Sequence, residues 1–128
     1  MIYFISGHRD IKEEEFKLWY EPRLEDILSL DTEARFVVGD CKGVDQMAQV
    51  WLRDHILDKT RVTVYHMLEK PRVLEDKNFN TIGGFKGDIE RDTAMTLSSD
   101  MDIAFIGKGR WTSGTAQNIL RRYERDRL

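Results

Sequence analysis

Near its start the chain reads IYFISGHRD (residues 2–10), a short apolar run that ends in a glycine-containing loop. Two further stretches repeat this pattern, FVVGDCKG at residues 36–43 and IAFIGKGRWTSGT at residues 103–115. A helix-forming segment follows each loop. Parallel strands direct such loops to one edge of a sheet, where small anionic ligands usually bind. The three stretches therefore predict a binding site built from loops that join strands to helices.

The rest of the chain alternates between strand and helix patterns. We predict strands at residues 2–6, 35–39, 61–67 and 101–106, and helices at residues 11–30, 44–57, 88–99 and 113–127, with a break at Pro22. Residues 68–86 lack periodicity and predict a long loop that is functional or mobile. The alternation predicts a single α/β domain over residues 1–128. Its architecture would be a small Rossmann-like, doubly wound parallel sheet with helices on both faces.

Composition excludes several classes of protein. The formal net charge of −3 disfavours a surface that coats nucleic acid, because affinity for a polyphosphate depends on clustered Lys and Arg. No apolar run approaches the ~20 residues that cross a bilayer, and we expect no secretory signal. Cys41 is the only cysteine, so we expect no internal disulfide and a cytoplasmic location. No metal site and no cofactor are expected, since the histidines lack a spaced third ligand.

The loop at residues 112–118 (TSGTAQN) gives the clearest functional signal. It opens the last helix, whose first-turn N–H groups are unpaired and whose dipole favours negative charge. Gly114 lets a ligand approach the backbone, and the hydroxyls of Ser113 and Thr115 add donors. We interpret the segment as a phosphate-binding loop. The alternative is that Ser113 only caps the helix, which would leave the remaining donors free.

The first loop adds a candidate cation. Arg9 can hold a phosphate with two hydrogen bonds, and His8 can donate to a phosphate or stack on a base, beside Gly7. The alternative is an exposed arginine next to a helix-capping Asp10.

The second loop supplies carboxylates between Gly39 and Gly43. Asp40 or Asp45 can accept hydrogen bonds from ribose hydroxyls or act as a catalytic acid or base. The alternative is that the aspartates cap a helix and the glycines serve turn geometry. Cys41 has no evident His–Asp partners, which favours an inert thiol.

Four segments together resemble the SLOG superfamily of Rossmann-like domains. They are GHRD (residues 7–10), GDCKGVDQMA (39–48), RDTAM (91–95) and SGTAQNI (113–119). This superfamily contains the LOG phosphoribohydrolases and the DNA-processing protein A family, and the chain is most similar to its small YspA-like members. The resemblance implies a nucleotide or nucleotide-derived ligand at the carboxyl edge of the sheet.

The resemblance also assigns individual residues. Arg91 and Met95 match an Arg-x-x-x-Met motif, which implies that Arg91 contacts the ligand. Gly114 and Thr115 match the centre of the LOG phosphate motif, but Asn118 occupies the position of its glutamate. An amide neither stabilises an oxocarbenium-like state by charge nor takes a proton near neutral pH. This substitution disfavours LOG-type hydrolysis unless another carboxylate replaces the glutamate.

Two functional hypotheses follow. The first is a sensor or accessory domain that binds a nucleotide-type small molecule, with phosphate at the first and last loops, ribose at Asp40 and added charge from Arg91. The alternative is an enzyme that cleaves an N-glycosidic bond, a phosphoribohydrolase or deoxyribosyltransferase, with Asp40 or Asp45 as the catalytic carboxyl group. A homo-oligomer is also possible, with Trp111 at a subunit contact.

Overall fold

A computed structural model of the chain describes residues 1–127. Five parallel strands form one sheet in the order β4-β3-β2-β1-β5. The strands are β1 (Ile2–Ser6), β2 (Arg35–Val38), β3 (Val62–Met67), β4 (Asn80–Phe85) and β5 (Met101–Ala104). The predicted α/β, Rossmann-like class is confirmed. Because all five strands run the same way, their carboxyl ends lie at one edge of the sheet.

Five α-helices connect the strands. They are α1 (Glu13–Trp19), α2 (Glu21–Leu30), α3 (Val44–His55), α4 (Asp88–Leu97) and α5 (Gly114–Asp126), and a short 3₁₀ turn (Lys59–Arg61) precedes β3. The predicted break in the first helical segment is confirmed, since α1 ends at Trp19 and Pro22 lies in the first turn of α2. Proline suits a first turn because the N–H group that it lacks has no partner there.

The two faces of the sheet bury different residues. Along β1, Tyr3 and Ile5 point into a cluster that also holds Phe16, Leu24 and Leu52 of helices α1, α2 and α3. On the opposite face, Phe4 and Val37 pack with Met95 of α4. Strands buried on both faces read as continuous apolar runs, which is why β1 and β2 are easy to recognise in the sequence.

The sequence prediction was wrong about residues 68–86, which contain β4. This strand (NTIGGF) pairs with β3 only, at the edge of the sheet, and five of its six residues are exposed. An exposed edge strand with two glycines has neither an apolar run nor an alternating pattern. Recognising β4 matters for the site, because its carboxyl end adds another loop to the same edge.

Within residues 1–127, no helix has the length and hydrophobicity to cross a membrane.

Candidate functional site

A cavity of about 420 Å³ lies at the carboxyl edge of the sheet. Small-molecule sites have volumes of roughly 300–1,000 Å³. The lining holds three guanidinium groups, four carboxyl groups and one imidazole, so its charges nearly balance. The lining residues are Phe4, Ser6, Gly7, His8, Arg9, Asp10, Cys41, Asp45, Asp88, Arg91, Asp92, Met95, Arg110, Gly114, Thr115 and Asn118.

Glycines allow the loops after β1 and β2 to touch. A Cβ atom on Gly7 would lie 2.4 Å from both the Tyr20 hydroxyl and Val44 Cγ2, so no side chain fits there. Gly43 has φ of +82°, and a Cβ atom on it would lie 2.5 Å from the His8 carbonyl oxygen. The Val44 N–H donates to that same oxygen at 3.2 Å. These two glycines shape the wall of the cavity.

His8 connects the loop after β1 to the loop after β5. The Gly107 N–H donates to His8 Nε2 at 2.8 Å. Because a backbone N–H can only donate, Nε2 is unprotonated, and the proton of the neutral ring is on Nδ1. Burial and the nearby charge of Arg110 lower the pKa of His8. The imidazole is therefore a fixed neutral group in the wall of the cavity.

A tyrosine hydroxyl joins the same two loops from below. Tyr20 is fully buried; its hydroxyl donates to the Ser6 carbonyl at 2.7 Å and accepts from the Phe105 N–H at 3.2 Å. This pair of hydrogen bonds fixes the ends of β1 and β5 side by side, beneath the cavity.

Arg91 is buried in a cluster of carboxylates. Its Nη1 donates to Asp40 at 2.9 Å, and its Nε and Nη2 donate to Asp92 at 3.2 and 3.1 Å. Burial alone would lower the pKa of Arg91, but the charge of Asp92 and the other anionic neighbours raises it. The guanidinium is therefore permanently charged and held in one position.

Asp40 stands behind this arginine. It is fully buried and does not line the cavity. Besides the Arg91 bond, its carboxylate accepts three hydrogen bonds from Arg72: from the backbone N–H at 2.9 Å, from Nε at 3.1 Å and from Nη2 at 2.9 Å. Asp40 thus positions two arginines and has no face toward the cavity, in contrast to the ribose contact expected from the sequence.

Asp45 does line the cavity. Its Oδ2 accepts from the Cys41 N–H at 3.1 Å, and a Cβ atom on Gly39 would lie 2.5 Å from the same oxygen. Burial raises the pKa of Asp45 to about 7, although the positive charge of Arg91 opposes the shift. A carboxyl group with this pKa can hold or release a proton near neutral pH.

The amino end of α5 forms another part of the wall. Ser113 is the N-cap, and its hydroxyl accepts from the Ala116 N–H at 3.2 Å. Gly114 and Thr115 line the cavity beside it. Across the cavity, the buried hydroxyl of Ser6 has no hydrogen-bond partner among residues 1–127. Unpaired first-turn N–H groups and a free hydroxyl suit an anionic oxygen.

Asn118 follows one helical turn later and is also buried against the cavity. Its side-chain oxygen accepts a hydrogen bond from Arg121. Burial raises the pKa of neighbouring Asp92, while the charge of Arg91 and hydrogen bonding from the Asn118 amide oppose this. Asn118 therefore lowers the pKa of a nearby carboxyl group and supplies none itself.

Two ion pairs lie at the mouth of the cavity. Arg9 contacts Asp88 at 3.1 Å, and Arg110 contacts Asp10 at 2.6 Å. The side chains of all four residues are between 43 and 65% exposed. Hydrogen bonding from Arg110 lowers the pKa of Asp10 to about 2, so this carboxylate stays ionised. Exposed pairs of this kind are worth little free energy and exchange partners readily.

The structure brings most of the predicted site residues together. Those that line the cavity are Gly7, His8, Arg9, Asp45, Arg91, Gly114, Thr115 and Asn118. Those that lie behind its wall are Gly39, Asp40, Gly43 and Ser113. The second group shapes the loops and holds the first group in place.

Sequence reasoning missed Asp88 and Arg72. Asp88 begins α4 directly after β4, so recognition of that strand would have placed it in a loop at the carboxyl edge. Arg72 lies in the non-periodic segment before β4, and no local pattern marks it as a partner of Asp40.

Comparison of the chain with protein-family models, curated proteins and solved structures gave no match.

Within the part of the chain that the structure describes, no three His, Cys, Asp or Glu side chains are grouped as metal ligands would be.

Proposed function

We propose that the chain binds a nucleotide or nucleotide-derived ligand at the carboxyl edge of its sheet, as a sensor or accessory domain. The observation that carries the proposal is that one cavity is lined both by the amino end of α5 and by the carboxyl groups of Asp45 and Asp92. Both kinds of group are needed for a phosphorylated sugar, and neither alone would indicate one. The proposal places the protein in the cytoplasm, where its thiol stays reduced.

The phosphate would lie at the amino end of α5. Gly114 leaves room for an oxygen against the backbone, because nothing lies within 4 Å of where its Cβ atom would be. Thr115 and the Ser6 hydroxyl, which has no partner among residues 1–127, supply further donors. The helix dipole adds a favourable term for negative charge.

The sugar and base would occupy the rest of the cavity. Asp45 and Asp92 can accept hydrogen bonds from hydroxyl groups, and Phe4 and Met95 offer an apolar surface for a flat base. The resemblance to the SLOG superfamily supports the same ligand class, since Arg91 and Met95 of its Arg-x-x-x-Met motif both line the cavity.

The test is a thermal-shift panel of nucleoside mono- and diphosphates, nucleotide sugars and ADP-ribose. A ligand at ten times its Kd should stabilise the protein by about 1.4 kcal/mol. The key variant is Gly114→Asp, which places a carboxylate in open space at the end of the helix. It should preserve folding, since an acid suits the first turn, and abolish the shift by repelling phosphate.

Gly114→Asn is the matched control, because its side chain has the size of aspartate and adds no charge. It should retain more of the shift than Gly114→Asp. A shift that survives in Gly114→Asp would contradict phosphate binding at α5, and a panel with no shift at all would contradict the proposed function.

Asp45 favours a second candidate, an enzyme that cleaves an N-glycosidic bond. Its raised pKa and its place in the cavity suit a proton donor or acceptor, whereas buried Asp40 has neither property. Asp92 would then supply the negative charge that the LOG glutamate provides. The test is chromatography for free base after incubation with nucleoside monophosphates. Release that disappears in Asp45→Asn would support the enzyme, and no release at high protein concentration would reject it.

A further inference from the structure

Asp88 lies at the centre of three arginines. Its Oδ2 is 3.1 Å from Arg9 Nη2, and its Oδ1 is 3.4 Å from Arg91 Nη2 and 3.8 Å from Arg72 Nη2. The three cations come from different segments of the chain: the loop after β1, helix α4 and the segment before β4. Such convergence of guanidinium groups is typical of sites that bind phosphate or carboxylate.

Two of these arginines do not need Asp88 to hold them. Buried Asp40 accepts hydrogen bonds from both Arg72 and Arg91, and Asp92 accepts two more from Arg91. Burial of Asp40 would raise its pKa, but the hydrogen bonds from Arg72 and the charges of both arginines lower it. Arg72 and Arg91 would therefore keep their positions if the Asp88 carboxylate moved away.

Asp88 is held less firmly than the groups around it. Its side chain is 46% exposed, whereas that of Asp40 is fully buried. Its Oδ1 is shielded from solvent but accepts no hydrogen bond from any residue between 1 and 127, despite the two nearby guanidinium groups. Asp88 is also the first residue of α4. The negative charge of Asp88 therefore suits this position, but its Oδ1 atom is not oriented to accept a hydrogen bond there.

We propose that Asp88 occupies the position of an anionic group of the ligand. A phosphoryl group entering the cavity displaces the carboxylate and binds Arg9, Arg72 and Arg91 in its place. This inference rests on the proposed function and deepens it. It adds a second anion subsite to the one at the amino end of α5, so the ligand class becomes a nucleotide with at least two phosphoryl groups, a nucleoside diphosphate or a diphosphate-linked sugar.

The experiment measures the affinity of inorganic pyrophosphate and of ADP-ribose by isothermal titration calorimetry in a phosphate-free buffer. Asp88→Asn nearly preserves the shape of the side chain and removes the competing charge. We expect both probes to bind about fivefold tighter to it than to the wild type, the effect of freeing an exposed ion pair. Arg72→Ala in the Asp88→Asn background should remove most of this gain.

Asp54→Asn is the matched control. Asp54 forms an exposed ion pair with Arg53 at 3.0 Å and does not line the cavity, so its substitution makes the same change in net charge elsewhere. We expect it to leave both affinities within about twofold, since distant exposed charges are screened. Arg53→Ala is the corresponding control for Arg72→Ala. If Asp88→Asn does not fold, the same measurements are made on Asp88→Ser.

Each outcome decides the question. Unchanged or weaker binding to Asp88→Asn, or an equal gain in Asp54→Asn, would overturn the inference. If nucleotides bind the wild type and Asp88→Asn changes nothing, the proposed function stands without this subsite. If pyrophosphate binds tighter to Asp88→Asn while no nucleotide binds either protein, the arginine cluster is an anion site and the proposed function fails.

Discussion

Asp45 shows how a single side chain can link the candidate site to the stability of the protein. Its carboxyl group has a pKa of about 7 in the folded chain against an ordinary value of 3.8. Between these values the folded state holds a proton that the unfolded state has lost. The stabilisation from protonated Asp45 is therefore complete below pH 4 and is lost as the pH rises through 7.

Asp45→Asn should remove this pH dependence. The wild type should lose up to about 4 kcal/mol of unfolding free energy, relative to the variant, between pH 4 and pH 8. Urea denaturation of both proteins across that range measures the difference, with Asp54→Asn as an exposed control. Parallel curves for wild type and Asp45→Asn would mean that Asp45 is ionised throughout.

The sequence predicted individual site residues unevenly. Loops that follow recognisable strands identified Arg9, Asp45 and Thr115, since their position along the chain fixes which edge of the sheet they reach. The ribose contact was assigned to Asp40 because the sequence cannot show which of two nearby aspartates, Asp40 or Asp45, lines the cavity. That choice depends on Arg72, whose pairing with Asp40 spans distant parts of the chain and leaves no local pattern.

At the scale of elements, two arginines of α5 attach it to its neighbours, and Arg122 is the buried one. Arg122 donates to the Thr96 and Ser99 carbonyls at 3.1 and 2.6 Å and to Asp102 at 3.0 Å. It thereby links α5 to the end of α4 and to β5. Because α5 also carries the proposed phosphate-binding end of the cavity, the contacts of Arg122 hold that end of the site in place.

Arg122→Met should destabilise the protein by about 3 kcal/mol, because it leaves a largely buried carboxylate without its cation. The urea midpoint measures this loss. Arg127→Met is the control, since Arg127 forms an exposed pair with Glu124 and the loss of this pair should cost less than about 0.5 kcal/mol. Equal losses of stability from the two substitutions would contradict the role of Arg122 in attaching α5 to α4 and β5.

The elements that the sequence predicted well are those with a buried pattern. β1 and β2 are apolar on both faces, and α3 carries an apolar stripe that includes Val44, Ala48 and Trp51. β4 was missed for the opposite reason. Its hydrogen bonds to β3 stabilise it as a strand, and hydrogen bonds between backbones do not depend on which side chains are present.

At the scale of the whole molecule, the order of strands predicts a gradient of local stability. β1 pairs on both sides and has four of its five residues buried, whereas β4 pairs on one side and is almost entirely exposed. Local opening is easiest where little apolar surface is buried. The edge that contains β4 should therefore open far more often than the centre of the sheet.

Hydrogen exchange followed by mass spectrometry tests this gradient. Peptides that cover Ile2–Ser6 and Arg35–Val38 should exchange last, and the peptide that covers Asn80–Phe85 should exchange well before them. A nucleotide that binds as proposed should slow exchange at the start of α4 and of α5, whose first residues line the cavity. Equal protection of β4 and β1 would show that the sheet opens only as one unit.

The place of β1 between β2 and β5 also bears on how the protein is made. Translation completes β1 first, yet one of its two partners is the last strand of the sheet to leave the ribosome. Through most of synthesis the nascent chain therefore carries an open hydrogen-bonding edge, the kind of surface that invites wrong pairing. Any molecule that fits the finished cavity could protect only chains in which both Gly7 and Gly114 have been synthesised, because both residues line it.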